Sequence, residues 1–191
     1  MEACPAFNLF DSMYSCLPDG GAALPRQRRP AADFSKTLRC DGATVNTMNS
    51  PAKACRSTIV PSLRYRNALA AIDWLVRAFG FEKQAVFLGP DNTTVMHAQL
   101  TFGNGMIMLG SVSNGGEYGE LMVQPDEVGL RETKGIYLIV SDADAVHAMA
   151  KAADAEMVLD IRDMDYGGRA FTCRDLEGHL WNIGAYDPWV A

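Results

Sequence analysis

Residues 59–112, IVPSLRYRNALAAIDWLVRAFGFEKQAVFLGPDNTTVMHAQLTFGNGMIMLGSV, decide the fold. The run 59–66 is rich in branched and aromatic residues, the composition of a strand. It stops at Asn67, whose short amide side chain suits a helix N-cap. Leu69, Ile72, Leu75, Val76 and Phe79 then recur at helical spacing until Gly80, a residue type that ends helices. Three apolar or alternating runs follow, 84–88, 94–102 and 106–112. The last two are split by Gly103-Asn104-Gly105, a hairpin signal. The predicted unit is βαβββ.

Working outward, the same order restarts at Gly135. A strand over 136–140 runs into Asp142 as N-cap, and Val146, Met149 and Ala153 mark the buried face of a second helix ending near Asp154. Strands over 156–161, 169–174 and 179–184 follow, with Gly167-Gly168 and Glu177-Gly178 as turns. Repetition at so long a period points to two βαβββ modules in an α+β fold. Their strands build a cupped mixed β-sheet, with the helices on one face and the other face free for a ligand. The stretch 113–134 is glycine-rich and acidic, and is expected to be a long loop bordering or covering the cup.

The wording of both ends carries a family likeness. LRYRNA at 63–68 with AFGF at 78–81 resembles the opening of vicinal-oxygen-chelate proteins. YGGRAF at 166–171, RDLEGHLW at 174–181 and YDPW at 186–189 resemble the close of its glyoxalase-like and bleomycin-resistance-like members, with Leu176 standing where a proline is common. The likeness covers about residues 58–189. It implies that metal-using members hold one divalent ion through a ligand on the first strand and another on the last strand of each module. Registered on the two N-caps and the closing turn, those four positions are Val60, Met108, Gly135 and Asn182 here. Divalent ions of this class want imidazole or carboxylate, and none of the four supplies either. The expectation is no metal and no cofactor.

Alternation along 94–102 sends Met96, Ala98, Leu100 and Phe102 under the helices, and His97 and Gln99 into the cup. Met106 and Met108, Ser62 and Arg64, and Tyr137 are expected to join them, with Asn182 as either a ligand contact or a residue bonded to a neighbouring strand. The candidate binding set is therefore His97, Gln99, Met108, Tyr137, Asn182 and Arg64. His97 leads it, because an imidazole facing a cavity accepts, donates or transfers a proton near neutral pH. His147, His179, Trp181 and Cys173 read as structural residues, and Tyr186 and Trp189 as packing groups.

From Thr58 onward, ten Lys and Arg stand against eighteen Asp and Glu, a net charge near −8, while residues 1–57 carry about +2. This balance argues against a duplex nucleic-acid partner and suits a cationic guest. No run approaches the roughly 18 apolar residues of a membrane helix, so the default location is cytoplasmic. Residues 1–47 show no sustained period and are expected to be poorly ordered. They form most of an N-terminal extension over 1–57, and Met48 offers a second start for translation. Cys4, Cys16, Cys40, Cys55 and Cys173 make an odd set with no CxxC pair, which excludes a disulfide framework. The leading functional expectation is metal-independent binding of a small molecule, of a sequestration or resistance kind, by a homodimer. The alternatives are a glyoxalase-like lyase or isomerase, or a dioxygenase, with an unconventional divalent metal site, and a pseudo-enzyme acting through protein contacts alone.

Overall fold

Asn67 caps the first helix through its side chain, which accepts a hydrogen bond from the amide of Ala70 at 3.1 Å. The computed structural model in which this is seen describes residues 57–114 and 118–190. The expected extension therefore lies outside the described residues, apart from Ser57. Helix α1 spans Ala68–Phe79 and ends at Gly80, which adopts φ +80°, a left-handed conformation that costs glycine little. The helix buries Ala71, Ile72, Trp74, Leu75, Ala78 and Phe79 on one broad face.

Around α1 lie four strands, β1 (Ser62–Tyr65), β2 (Glu82–Leu88), β3 (Val95–Phe102) and β4 (Gly105–Ser111), in the spatial order β1-β4-β3-β2. β1 runs parallel to β4, while the other neighbours are antiparallel, so the sheet is mixed. A parallel pair cannot be closed by a tight turn, and α1 supplies part of the crossover. The second module repeats the plan. β5 (Ile136–Ile139) leads to α2 (Ala143–Ala152), whose N-cap Asp142 accepts from the amide of Ala145 at 2.9 Å. β6 (Glu156–Asp163), β7 (Arg169–Arg174) and β8 (Leu180–Gly184) complete a sheet ordered β5-β8-β7-β6, with β5 parallel to β8.

Two expected burial patterns are corrected. Met96, placed under the helices by simple alternation, is 46% exposed, while Val95 is fully buried. The cause is an extra residue in β3. Phe87 pairs with His97 and Leu88 with Val95, so one step on β2 matches two on β3, and Met96 is pushed out of the ladder. In α2, Met149 is 41% exposed. The inward row is Ala143, Val146, Ala150 and Ala153, one helical stripe away from it.

One apolar core joins the two modules. The Trp181 ring lies 5.3 Å from Phe79 and 5.9 Å from Phe81, and Trp74 Nε1 donates to the carbonyl of Ala153 at 2.6 Å. Trp181 is completely buried, in keeping with its sequence reading. Among the described residues, no helix is long and apolar enough to cross a membrane.

Candidate functional site

In the first sheet, Leu63 and Tyr65 of β1 point into the core, so Ser62 and Arg64 take the opposite face. Register carries that face across the sheet, since Ser62 pairs with Met108, Met108 with Gln99, and Arg64 with Gly110. His97 precedes Ala98, the partner of Leu109, which sets it beside Gly110, and it pairs on its other side with Phe87 of β2. Four of the six candidate residues, Arg64, His97, Gln99 and Met108, thus share the helix-free face of one sheet. Phe87 joins them unforeseen, its ring stacked on His97 at 6.1 Å and 28°. Gln99 Nε2 lies 3.2 Å from His97 Nε2.

The other two candidates belong to the second sheet, where Tyr137 and Asn182 are direct partners in register. Asn182 spends its amide on neighbouring strands. Its Oδ1 accepts from Thr172 Oγ1 at 2.9 Å, and its Nδ2 donates to the carbonyl of Ile136 at 3.4 Å. Tyr137 donates to the carbonyl of Tyr186 at 3.2 Å and packs against Gly184. Burial, then the nearby Tyr166 hydroxyl, pushes the Tyr137 phenol up to about 12, so it stays a neutral donor near neutral pH. Tyr166 stacks edge-on against Tyr186 at 5.3 Å, and its buried hydroxyl has no hydrogen-bond partner among the described residues. No hydrogen bond or ring contact among the described residues links this set to the one on the first sheet.

A further link between the modules is a knot of polar groups at the end of β1. Asp175 accepts from the Tyr65 hydroxyl (2.7 Å), from Trp181 Nε1 (3.0 Å) and from the amides of Glu177 and His179 (3.0 Å each). The Glu177 carboxylate caps the amides of Arg66 and Asn67 at 2.6 and 2.7 Å. His179, buried at the closing turn, sets Nδ1 2.9 Å from Glu132 Oε1 and Nε2 2.9 Å from the carbonyl of Arg64. With Glu132 ionised both partners are acceptors, so both ring nitrogens then donate and the ring is an imidazolium.

Burial opposes that charge, but the Glu132 hydrogen bond, Asp175 and the Arg64 carbonyl together hold the His179 pKa above its ordinary value near 6.5. A raised folded-state value means that the stabilisation is fully present below the unfolded pKa, about 6.5, and is lost as pH rises through the folded one. Urea denaturation of wild type and His179→Gln should therefore differ more at pH 6 than at pH 9. A gap independent of pH would show that the ring is neutral. Cys173 plays no comparable part, because burial, then Asp175, pushes its thiol up to about 12 and leaves it protonated and inert.

The loop described from Tyr118 onward borders the first-sheet face. Tyr118 stands over the Arg64 guanidinium, 6.0 Å from ring centre to Cζ. Arg66 is paired at 3.0 Å with both Asp126 and Glu127 of the short 3₁₀ turn Pro125–Val128, and Glu132 is pinned by His179.

The matching family model spans residues 58–183 and is that of the Glyoxalase/Bleomycin resistance protein/Dioxygenase superfamily. The chain belongs to this superfamily. An uncharacterised protein of Mycobacterium bovis is 32% identical over 124 residues, covering 65% of this chain and 80% of its own, and an uncharacterised protein of Mycobacterium tuberculosis matches at the same identity. Among solved structures, TioX of Micromonospora sp. ML1 is 33% identical, with a TM-score of 0.51, over 66% of this chain and 95% of that one. The fosfomycin resistance protein FosX of Listeria monocytogenes, crystallised as a point mutant with manganese and a dihydroxypropylphosphonic acid, is 15% identical. Its TM-score is 0.50, over 68% of this chain and 89% of that one, and it attests the fold alone.

The superfamily's metal-using members raise the question of whether this chain's own donors fit an ion. The four registered positions are neighbours in pairs. The amide of Met108 bonds to the carbonyl of Pro61, next to Val60, at 2.8 Å, and a side chain on Gly135 would begin 3.2 Å from Asn182 Nδ2. The groups at these positions, an alkyl chain, a thioether, a bare glycine and an amide already bonded, do not fit an ion that wants imidazole or carboxylate. Among the described residues, no three His, Cys, Asp or Glu side chains are placed to hold a metal ion.

Proposed function

We propose that this superfamily member binds and holds a small molecule on the helix-free face of its first sheet, without a metal ion, as a sequestering protein does. The observation that carries this reading is the row Arg64, His97 and Phe87 above Gln99 and Met108. It gathers a guanidinium, an imidazole in contact with the Gln99 amide, an aromatic ring and a polarizable thioether on one surface. The lack of imidazole or carboxylate at Val60, Met108, Gly135 and Asn182 favours binding over metal-assisted chemistry.

The reading includes a homodimer. β2 and β6 end their sheets, and Phe87, Leu88 and Val158 on them are exposed, the kind of edge that a second chain covers.

A thermal-shift screen of small aromatic compounds, run with and without a strong chelator, tests the proposal. A ligand at a hundred times its Kd adds about 2.7 kcal/mol to the native state, and that gain should be the same in chelator, with the protein sedimenting as a dimer at micromolar concentration. One tightly bound divalent ion per subunit in elemental analysis, with turnover that depends on it, would overturn the reading.

A further inference from the structure

Arg64 is half-buried and belongs to none of the ion pairs among the described residues. Its described hydrogen bond is from Nη1 to the carbonyl of Ser111 at 3.1 Å, which fixes the group and leaves the rest of its N–H fork without a partner among the described residues. Tyr118 covers one side. Gly110, the direct partner of Arg64 on β4, makes room beneath, because a Cβ there would fall 3.0 Å from Arg64 Nη1 and 3.3 Å from Asn114 Nδ2. Two donors thus meet above bare backbone. Asn114 is itself held by donating to the carbonyl of Met96 at 2.7 Å, the residue that the bulge pushes out. A positioned cation with spare donors, unpaired with any carboxylate among the described residues, is the complement of an oxyanion.

Across the same row, His97 lies two strands from Arg64, about 10 Å at the usual strand spacing, and Phe87 stacks beyond it. We propose that this face selects a flat aromatic carboxylate, with the carboxylate forked on the Arg64 guanidinium and the ring system laid toward His97 and Phe87. The inference rests on the reading that this face binds a small molecule. It replaces the cationic guest that net charge suggests, since charges farther off than the screening length of about 8 Å at physiological salt matter less than a guanidinium in contact.

Equilibrium dialysis of the full chain against naphthoate, naphthamide and naphthylmethylammonium, three probes of one shape and different charge, tests the assignment. The acid should bind about tenfold more tightly than the amide, and more tightly still than the ammonium, in line with a charge-assisted bidentate contact. In Arg64→Gln the acid's advantage should shrink to about twofold while amide binding persists, and in Arg77→Gln, on the exposed side of α1, it should remain. The wild-type series decides the matter even if Arg64→Gln fails to fold. Equal or tighter binding of the amide or ammonium, or an advantage that survives in Arg64→Gln, overturns the carboxylate assignment and leaves the small-molecule reading intact. Failure of all three probes to bind at millimolar concentration overturns both.

Discussion

Asp175→Ala should remove about 3 to 5 kcal/mol of stability, read as a lowered urea midpoint. Asp175 is 8% exposed, and its two oxygens serve four donors, among them the buried Tyr65 hydroxyl and the Trp181 indole. Deleting the acceptor strands donors that water cannot reach, and it withdraws the negative charge beside the His179 imidazolium. The effect has a signature beyond its size. Tyr65→Phe removes one of the four donors, so its cost should fall markedly once Asp175 is already gone, giving a coupling of about 1 kcal/mol or more in a double-mutant cycle. Strict additivity would mean that the 2.7 Å contact contributes nothing, and a loss below about 1 kcal/mol in the single variant would refute the role given to the knot.

Trp181→Ala should cost a similar amount, about 3 to 5 kcal/mol, the range for deleting a buried aromatic. Its ring is the meeting point of Phe79 and Phe81 from the first module with the strand core of the second. Against a total stability of roughly 5 to 15 kcal/mol, that loss takes a large share of the margin and should lower the melting temperature markedly. Trp181→Phe separates the two contributions of the side chain. It keeps most of the packing and loses the Nε1 bond to Asp175, so about 1 to 2 kcal/mol should go. Circular dichroism melts of both variants check the order, and a Phe variant as damaged as the Ala variant would move the weight from packing to the hydrogen bond.

Features encoded by near neighbours could be read from the chain alone. Asn67 and Asp142 announce helix starts because a cap is a contact over three residues, and Gly80 marks the stop by its own conformation. Arg64 could be placed because its neighbours Leu63 and Tyr65 are apolar and strands alternate. The displaced Met96 could not, because an extra residue shows only against the partner strand, and nothing in 94–102 taken alone separates an eight-residue ladder from one with a bulge. Phe87 was missed for the same reason, its value lying in a pairing with His97 across the sheet. Tyr118 and Asn114 come from the stretch between the modules, where no period exists to follow. Asn182 carried two readings in the sequence, and its bonds to Thr172 and Ile136 supply the structural one. Gly135 lies beside Asn182, a proximity that only the pairing of β5 with β8 creates.

The bond from Tyr65 to Asp175 spans 110 residues of chain. During synthesis the first module emerges long before the residues that seal it, so Phe79 and Phe81 wait for Trp181, and the Tyr65 hydroxyl for its acceptor. Ribosomes add roughly 5 to 20 residues per second, which leaves that apolar seam open for several seconds in every new molecule. A message cut short before codon 175 would yield a product whose seam never closes, a natural substrate for chaperones and proteases.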